Sequence, residues 1–227
     1  MISNLPGFKD EVEILKSLFG DSYEQAGGQG HRFFHSIRVA RNCLELQEKL
    51  LEKISHKNIL VVAALFHDIG KVSRVESEGY LDGSQEADVL KGKHDSFQTV
   101  LPLLRQYIGE KYSIKELELM SNYISGNDSK ESQLLQDADN LDEVGLVNVW
   151  KMFTYGGLNK VSIEDTIEYY LEEDRDRLIK KIKGRMNFPE TEKISMERLH
   201  KVDVFIKNLV DEIEAKDLQK FLKINKK

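Results

Sequence analysis

This chain has little of what builds a disulfide-stapled or sheet-rich protein. It has one cysteine, Cys43, so no internal disulfide can form. Only 3 prolines and 15 glycines punctuate 227 residues, and charged residues make up 32%. That balance favours long helices joined by short turns over a many-stranded sheet. Long hydrophobic runs are missing too: the longest, Ile59–Phe66, has the length of a buried core helix and falls far short of a membrane span. With no signal-peptide pattern at the N-terminus, the expectation is a cytoplasmic protein without a membrane partner. A basic excess is also lacking. The formal net charge of -6 argues against a duplex nucleic acid partner, although it leaves room for a nucleotide held at a local metal and lysine site.

With 40% hydrophobic content the chain can bury a proper core. The expected fold class is all-α, one helical bundle spanning 1–227 with its core at about 30–210. The basic stretch 217–227 is expected to be a frayed tail. Apolar residues recur at helical spacing along most of the chain. An opening helix from Phe8 to Phe19 places Val12, Leu15 and Phe19 on one stripe, and a second carries His35, Val39, Cys43, Leu46 and Leu50 on another. The third, Asn58 to Ile69, is apolar on nearly every face and therefore central. The stretch 72–93 reads as a long irregular connection, a candidate rim or lid. Pro102 predicts a kink or break near Gln98. Ser113 with Glu116 has the form of a capping box for a helix reaching Ile124. Further helices follow Ser129, Ser162 (to Lys183) and Thr191 (to Lys216).

One short run breaks the apolar pattern. In Ala63-Ala64-Leu65-Phe66-His67-Asp68-Ile69-Gly70-Lys71 an almost wholly apolar segment presents an ionisable pair and then stops at a glycine. A buried carboxylate without a partner is too costly to keep charged, so a cation is the simplest reason for Asp68. Neighbours in a regular helix point in different directions, so His67 and Asp68 reach one ion only if the helix end turns there, with freedom supplied by Ile69-Gly70. His35, on a buried stripe, adds a second imidazole. Asp139 adds a second carboxylate, and Asp142, three residues on, shares its face as a supporting or substrate-side group. Asp137 is the main competitor for the ligand position. The set His35, His67, Asp68 and Asp139 mixes nitrogen and oxygen donors, which suits one divalent ion among Mn, Fe, Co, Zn and Mg.

The remaining histidines and aromatics take more ordinary readings. His31 is a candidate partner of the ligands, His56 sits exposed near a turn, and His200 belongs to helix packing. Arg38, three residues after His35, is expected in an ion pair with Asp68 or Asp142, with phosphate binding as the alternative. Trp150, Phe153 and Tyr155, beside Gly156-Gly157, are expected to form a core cluster rather than a base-stacking platform.

His35, the pair His67-Asp68 with Gly70-Lys71 behind it, and Ala138-Asp139 before a leucine resemble the H…HD…D signature of the HD-domain metal-dependent phosphohydrolase superfamily. The runs His31–Val39, Gln136–Asp142 and Phe153–Gly157 are similar to a bacterial group of small single-domain HD proteins, some of them nucleoside triphosphate pyrophosphohydrolases. Met186-Asn187, Thr191 and Glu197 through His200 match that group's C-terminal helices in placement. Where that family often has Asp-Trp after the first histidine, this chain has Arg32-Phe33. The resemblance implies hydrolysis of a nucleotide phosphoester or phosphoanhydride, with one metal, with Asp68 accepting the water's proton and with Lys71 as a phosphate contact. His94 would be a further imidazole, for phosphate or a second metal. The expected partner is thus a small phosphorylated substrate, with homodimerisation left open. A phosphodiesterase for a cyclic or linear dinucleotide and a non-catalytic nucleotide-binding regulatory module are the competing functions.

Overall fold

A computed structural model describes residues 5–24, 27–50, 56–72, 80–81 and 96–224. The expected rim or lid at 73–93 lies outside the described residues except for Tyr80-Leu81, and His94 lies outside them as well. Helix α1 (Lys9–Phe19) buries Val12, Leu15 and Phe19 as its periodicity predicts, and α2 (His31–Leu50) buries His35, Val39, Cys43 and Leu46. Between them lie two strands of a minimal sheet that the sequence does not predict, in the order β2-β1-β3: β1 (Tyr23–Glu24) pairs antiparallel with β2 (Gly28–Gln29) and parallel with β3 (Tyr80–Leu81), which follows later in the chain. Gly30 closes this turn at φ +67°, where an L side chain would be strained, and donates its N–H to Ser22 O at 2.7 Å.

Helix α3 (Lys57–Leu65) is buried from Ile59 to Leu65 and lies at the centre of the bundle, against α2. The helices α4 (Phe97–Ile108), α5 (Ile114–Ile124) and α6 (Lys130–Asp142) complete a first apolar core running from Leu5 to Leu141. The most extensive packing in the molecule joins α2 to α6 and to α3. The local start signals hold: Ser113 and Glu116 form the reciprocal capping box, and Ser129 accepts the N–H of Ser132. Pro102 does not break α4 into two pieces; its missing N–H leaves only the Gln98 carbonyl without its helical donor, and packing carries one continuous element through.

A second apolar core gathers Val144, Val149, Ile167, Tyr170, Leu178, Ile182, Leu199, Val202 and Ile206. It is built by α7 (Leu146–Leu158), α8 (Ile163–Tyr169), a π-helical turn (Tyr170–Asp174), α9 (Arg175–Arg185) and α10 (Pro189–Ile213). Pro189 starts α10 ahead of the predicted Thr191, a position where its fixed φ and missing N–H cost nothing. Of the stretch 217–227 expected to fray, the described part is helical, as α11 (Lys216–Ile224), with Leu218 and Leu222 exposed on it; 225–227 lie outside the described residues. Of the aromatic group near Gly156, Phe153 packs on the second core, edge-on to Phe205, whereas Trp150 and Tyr155 are 68% and 50% exposed and stand outside it; His200 is exposed rather than packed. Among the described residues no helix is long and apolar enough to cross a membrane.

The two cores are tied by a buried carboxylate. Asp137 Oδ1 accepts the N–H of Asn187 at 2.8 Å, Oδ2 accepts the N–H of Phe188 at 3.0 Å, and Thr191 donates its hydroxyl to the same group. These bonds satisfy the backbone donors of Asn187 and Phe188 just ahead of α10 and engage both oxygens of Asp137, which removes it from contention as a metal ligand. Asp137→Ala is expected to lower the unfolding free energy by about 2 kcal/mol, the cost of stranding those donors, without loss of metal binding. Urea denaturation with parallel metal analysis checks this, and an unchanged midpoint would contradict it.

Candidate metal centre

The seam between α2 and α6 supplies one half of the site, and the end of α3 supplies the other. Helix α3 stops at Leu65, earlier than its hydropathy predicts, and Phe66 (φ -107°, ψ 16°) and Asp68 (φ -90°, ψ 11°) leave helical geometry. The N–H of Ile69 returns to Phe66 O at 3.0 Å and that of Lys71 to Asp68 O at 2.9 Å, closing the tight 3-10 turn Ile69–Lys71. The turn that aims His67 and Asp68 into one cleft is therefore made ahead of Gly70. That glycine lies within the 3-10 turn and not at a left-handed hinge.

Three of the expected ligands converge. His35 Nε2 lies 3.1 Å from His67 Nε2 and 3.1 Å from Asp139 Oδ1, while His67 Nε2 is 3.6 Å from the same oxygen. Each ring is oriented from behind. His35 Nδ1 is 2.7 Å from Asp142 Oδ2, and His67 Nδ1 is 2.8 Å from the Ala64 carbonyl. Both partners only accept, so each Nδ1 carries the hydrogen, and each neutral ring then presents Nε2 as a bare lone pair. Two facing lone pairs beside a carboxylate repel one another unless a cation lies among them. These donors therefore fit a divalent metal, with histidines held by acceptors in the manner that fixes ligand orientation in metal sites. Asp139, with its side chain 40% exposed, is the open side of an otherwise buried cluster.

Asp68, the fourth expected ligand, stands beside this trio: its oxygens are 3.7 Å from His67 Nε2 and 3.9 Å from His35 Nε2. Arg32 Nη1 reaches Asp68 Oδ2 at 2.8 Å and Lys71 Nζ reaches Oδ1 at 3.1 Å. Arg32 also pairs with Glu24 of β1, so a buried chain Glu24–Arg32–Asp68 backs the site. Glu24 and Arg32 were missed as site residues from sequence. The one available signal was an arginine three residues before His35 and on its face. Arg38 is in the ion pair preferred for it, with Nε 2.6 Å from Asp142 Oδ1 and Nη2 2.8 Å from Oδ2. His31 stacks on His35 with ring centroids 6.0 Å apart and approaches Glu24 Oε2 at 3.1 Å.

The charges follow from these contacts. Burial opposes a proton on His35, yet its hydrogen bonds to Asp139 and Asp142 outweigh that cost and raise its pKa from 6.5 to about 9 in the absence of a metal. Burial likewise works against the Asp139 carboxylate, but His35 and His67 hold its pKa down at about 2. Asp142 and Asp68 are also kept well below the usual carboxylate range against burial, the first by His35 and Arg38, the second by Lys71, Arg32 and the histidines. His31 is pushed to about 2 by burial and by the nearby cations Lys151 and Arg32, so it meets Glu24 as a neutral ring. Lys151 is thus a further charge near the site that the sequence reading passed over.

Residues 32–143 match the HD domain family model, a span that begins beside His35 and ends just past Asp142. Among solved structures, an HD-superfamily hydrolase from Bacillus thuringiensis superposes with a TM-score of 0.60 at 21% identity, covering 92% of this chain and 97% of its own. Bacillus subtilis YpgQ in complex with ADP gives 0.58 at 18% identity, covering 90% and 93%. The Lin1889 protein of Listeria innocua gives 0.56 at 21%, covering 91% and 95%. A search of curated protein sequences finds no match.

The raised pKa of His35 makes stability depend on pH with a definite sign. Its contribution is fully present below pH 6.5 and is lost as pH rises through about 9. In chelator-treated protein the denaturation midpoint should therefore fall between pH 6.5 and 9. A divalent ion competes with that same proton, so the extra stability given by added metal should grow over the same interval. Parallel pH series with and without Mn(II) check this, and superimposable profiles would contradict it.

Proposed function

Since this chain belongs to the HD-domain superfamily, we propose that it is a metal-dependent phosphohydrolase acting on a nucleotide, with splitting of a nucleoside triphosphate into monophosphate and pyrophosphate as the preferred reaction. The observation that carries this is the convergence of His35 Nε2, His67 Nε2 and Asp139 Oδ1, with Asp68 and Lys71 alongside. The ADP complex of the Bacillus subtilis neighbour is in keeping with a nucleotide ligand. A divalent cation bound there would supply a Lewis acid, able to lower the pKa of water from about 15.7 towards roughly 7 and to offset charge on phosphoryl oxygens.

The chain's own residues then divide the work. His35, His67 and Asp139 would hold the cation, and Asp68, 3.7 Å and 3.9 Å from the two Nε2 atoms, would complete its ligands. Asp142 and Arg38 keep the His35 lone pair aimed, as the Ala64 carbonyl does for His67. Asp68 accepts a hydrogen bond from the attacking water and takes up its proton as the new oxygen–phosphorus bond forms and the bond to the leaving phosphate chain breaks. Lys71 brings positive charge to the side where phosphoryl oxygens gain negative charge. A cytoplasmic location fits a nucleotide substrate.

A release screen over nucleotides with Mn, Mg, Co and Zn tests the proposal. Pyrophosphate selects the triphosphate reaction, and orthophosphate selects a phosphatase. Linear products from cyclic dinucleotides select the phosphodiesterase alternative, and binding without any product selects the regulatory module. Lys71→Met should lower the turnover number by about ten- to a thousandfold, the loss of one positioned electrostatic group, with metal content unchanged. Steady-state kinetics check this, and an unaltered turnover number would remove Lys71 from the reaction.

A further inference from the structure

Beyond Asp142 the chain builds two adjoining cavities that the metal centre does not use. The first, of about 570 Å³, lies between α7 and the helical run that follows it, within the usual range for small-molecule sites. Tyr155 and Tyr169 line it and are 50% and 48% exposed, so each keeps ring surface outside the apolar core. Asp165 contributes a carboxylate able to accept from hydroxyl or amine groups. The second cavity, of about 550 Å³, shares Asn148, Lys151 and Arg177 with the first and adds Lys180, Lys181 and Arg185. Glu143, the carboxylate on its wall, is already paired with Lys181. Such a concentration of positive charge stands out in a chain of net charge -6.

Two features join these cavities to the metal centre. Glu143 directly follows Asp142, the residue that orients His35. Lys151 lies within electrostatic reach of Glu24 and Asp142, and its charge acts on His31. The π-helical turn has its own part in the arrangement. Tyr169 and Asp174 are five residues apart, and a regular helix of 3.6 residues per turn would point them apart. Wider i to i+5 closure over Tyr170–Asp174 brings both onto the cavity wall, where Asp174 holds Arg177 by an ion pair.

An aromatic cavity that shares Asn148, Lys151 and Arg177 with a cationic one, whose wall carries Glu143 next in sequence to Asp142, matches the order of parts in a nucleoside polyphosphate. We infer that, if the nucleotide-hydrolase reading above holds, the first cavity takes the nucleoside with its base against Tyr155 or Tyr169, and that Lys151 and Arg177 lead the phosphate chain towards His35, His67 and Asp139. Stacking on a tyrosine tolerates any base, so the site selects nucleotides as a class over bare polyphosphate.

Titration calorimetry on metal-loaded protein tests this with the α,β-methylene analogues of ATP, GTP, CTP and UTP and with inorganic tripolyphosphate. At least one nucleotide should bind about ten- to a hundredfold more tightly than tripolyphosphate, the gain from one stacked base. Tyr155→Ala or Tyr169→Ala should abolish most of that preference while leaving tripolyphosphate affinity unchanged, and Lys151→Met should weaken both classes of ligand. Equal affinity for all five ligands in the unaltered protein, or a preference that survives in both tyrosine variants, would overturn the inference. Product release measured in parallel separates the two claims. Tyrosine-dependent binding without hydrolysis refutes the hydrolase reading alone, and hydrolysis with no tyrosine dependence refutes the cavity assignment alone.

Discussion

Two imidazole nitrogens that present lone pairs 3.1 Å apart, beside a carboxylate and inside an apolar bundle, need a positive charge among them. Much of the surrounding structure serves to create and keep that need. Asp142 takes the hydrogen on the far side of His35, and Arg38 holds Asp142 through both of its oxygens. The Ala64 carbonyl does the same for His67 because α3 ends early enough for the ring to fold back on it. A proton on His35 can meet the need only at the cost of burying a charge. A divalent metal meets it with full use of all the donors.

The same constraint accounts for the polar groups behind the site. A buried Asp68 would be expensive alone, and Arg32 and Lys71 offset it from opposite oxygens. Arg32 is in turn balanced by Glu24, whose position depends on the short pairing of β1 with β2 and β3. A strand only two residues long contributes little stability of its own. Its value lies in where it sets one carboxylate, and removing Glu24 would leave the arginine buried with one partner fewer.

How much of this was legible in the sequence depended on the range of the interaction. His35 could be placed because an imidazole on a buried helical stripe is a local pattern, whereas the need for a turn at His67-Asp68 was legible but its position was not, since the apolar pattern continues to Ile69 and the helix stops at Leu65. Capping by Ser113 and Ser129 is also local, and it appears as predicted. Arg32 and Glu24 could not be paired in advance, since a two-residue strand has no periodicity to read. Asp137 stood as the main competitor of Asp139, and tertiary packing, which commits its oxygens to donors just ahead of α10, removes it. Of the α7 aromatics Phe153 packs on the second core as expected, and Trp150 and Tyr155 do not: spacing shows which side chains share a face and not whether another element covers it, and Trp150 is 68% exposed.

Nitrogen coordination from two histidines at one ion is the feature on which everything else rests. Electron spin echo spectroscopy of the Mn(II)-loaded protein measures that directly, because imidazole nitrogens bound to the ion modulate the echo. The protein should take up about one tightly held Mn(II), as befits a single set of converging donors, and show modulation from two imidazoles, reduced to one in His67→Ala. Mn(II) that binds without nitrogen modulation, or modulation that is the same in His67→Ala, would contradict the account.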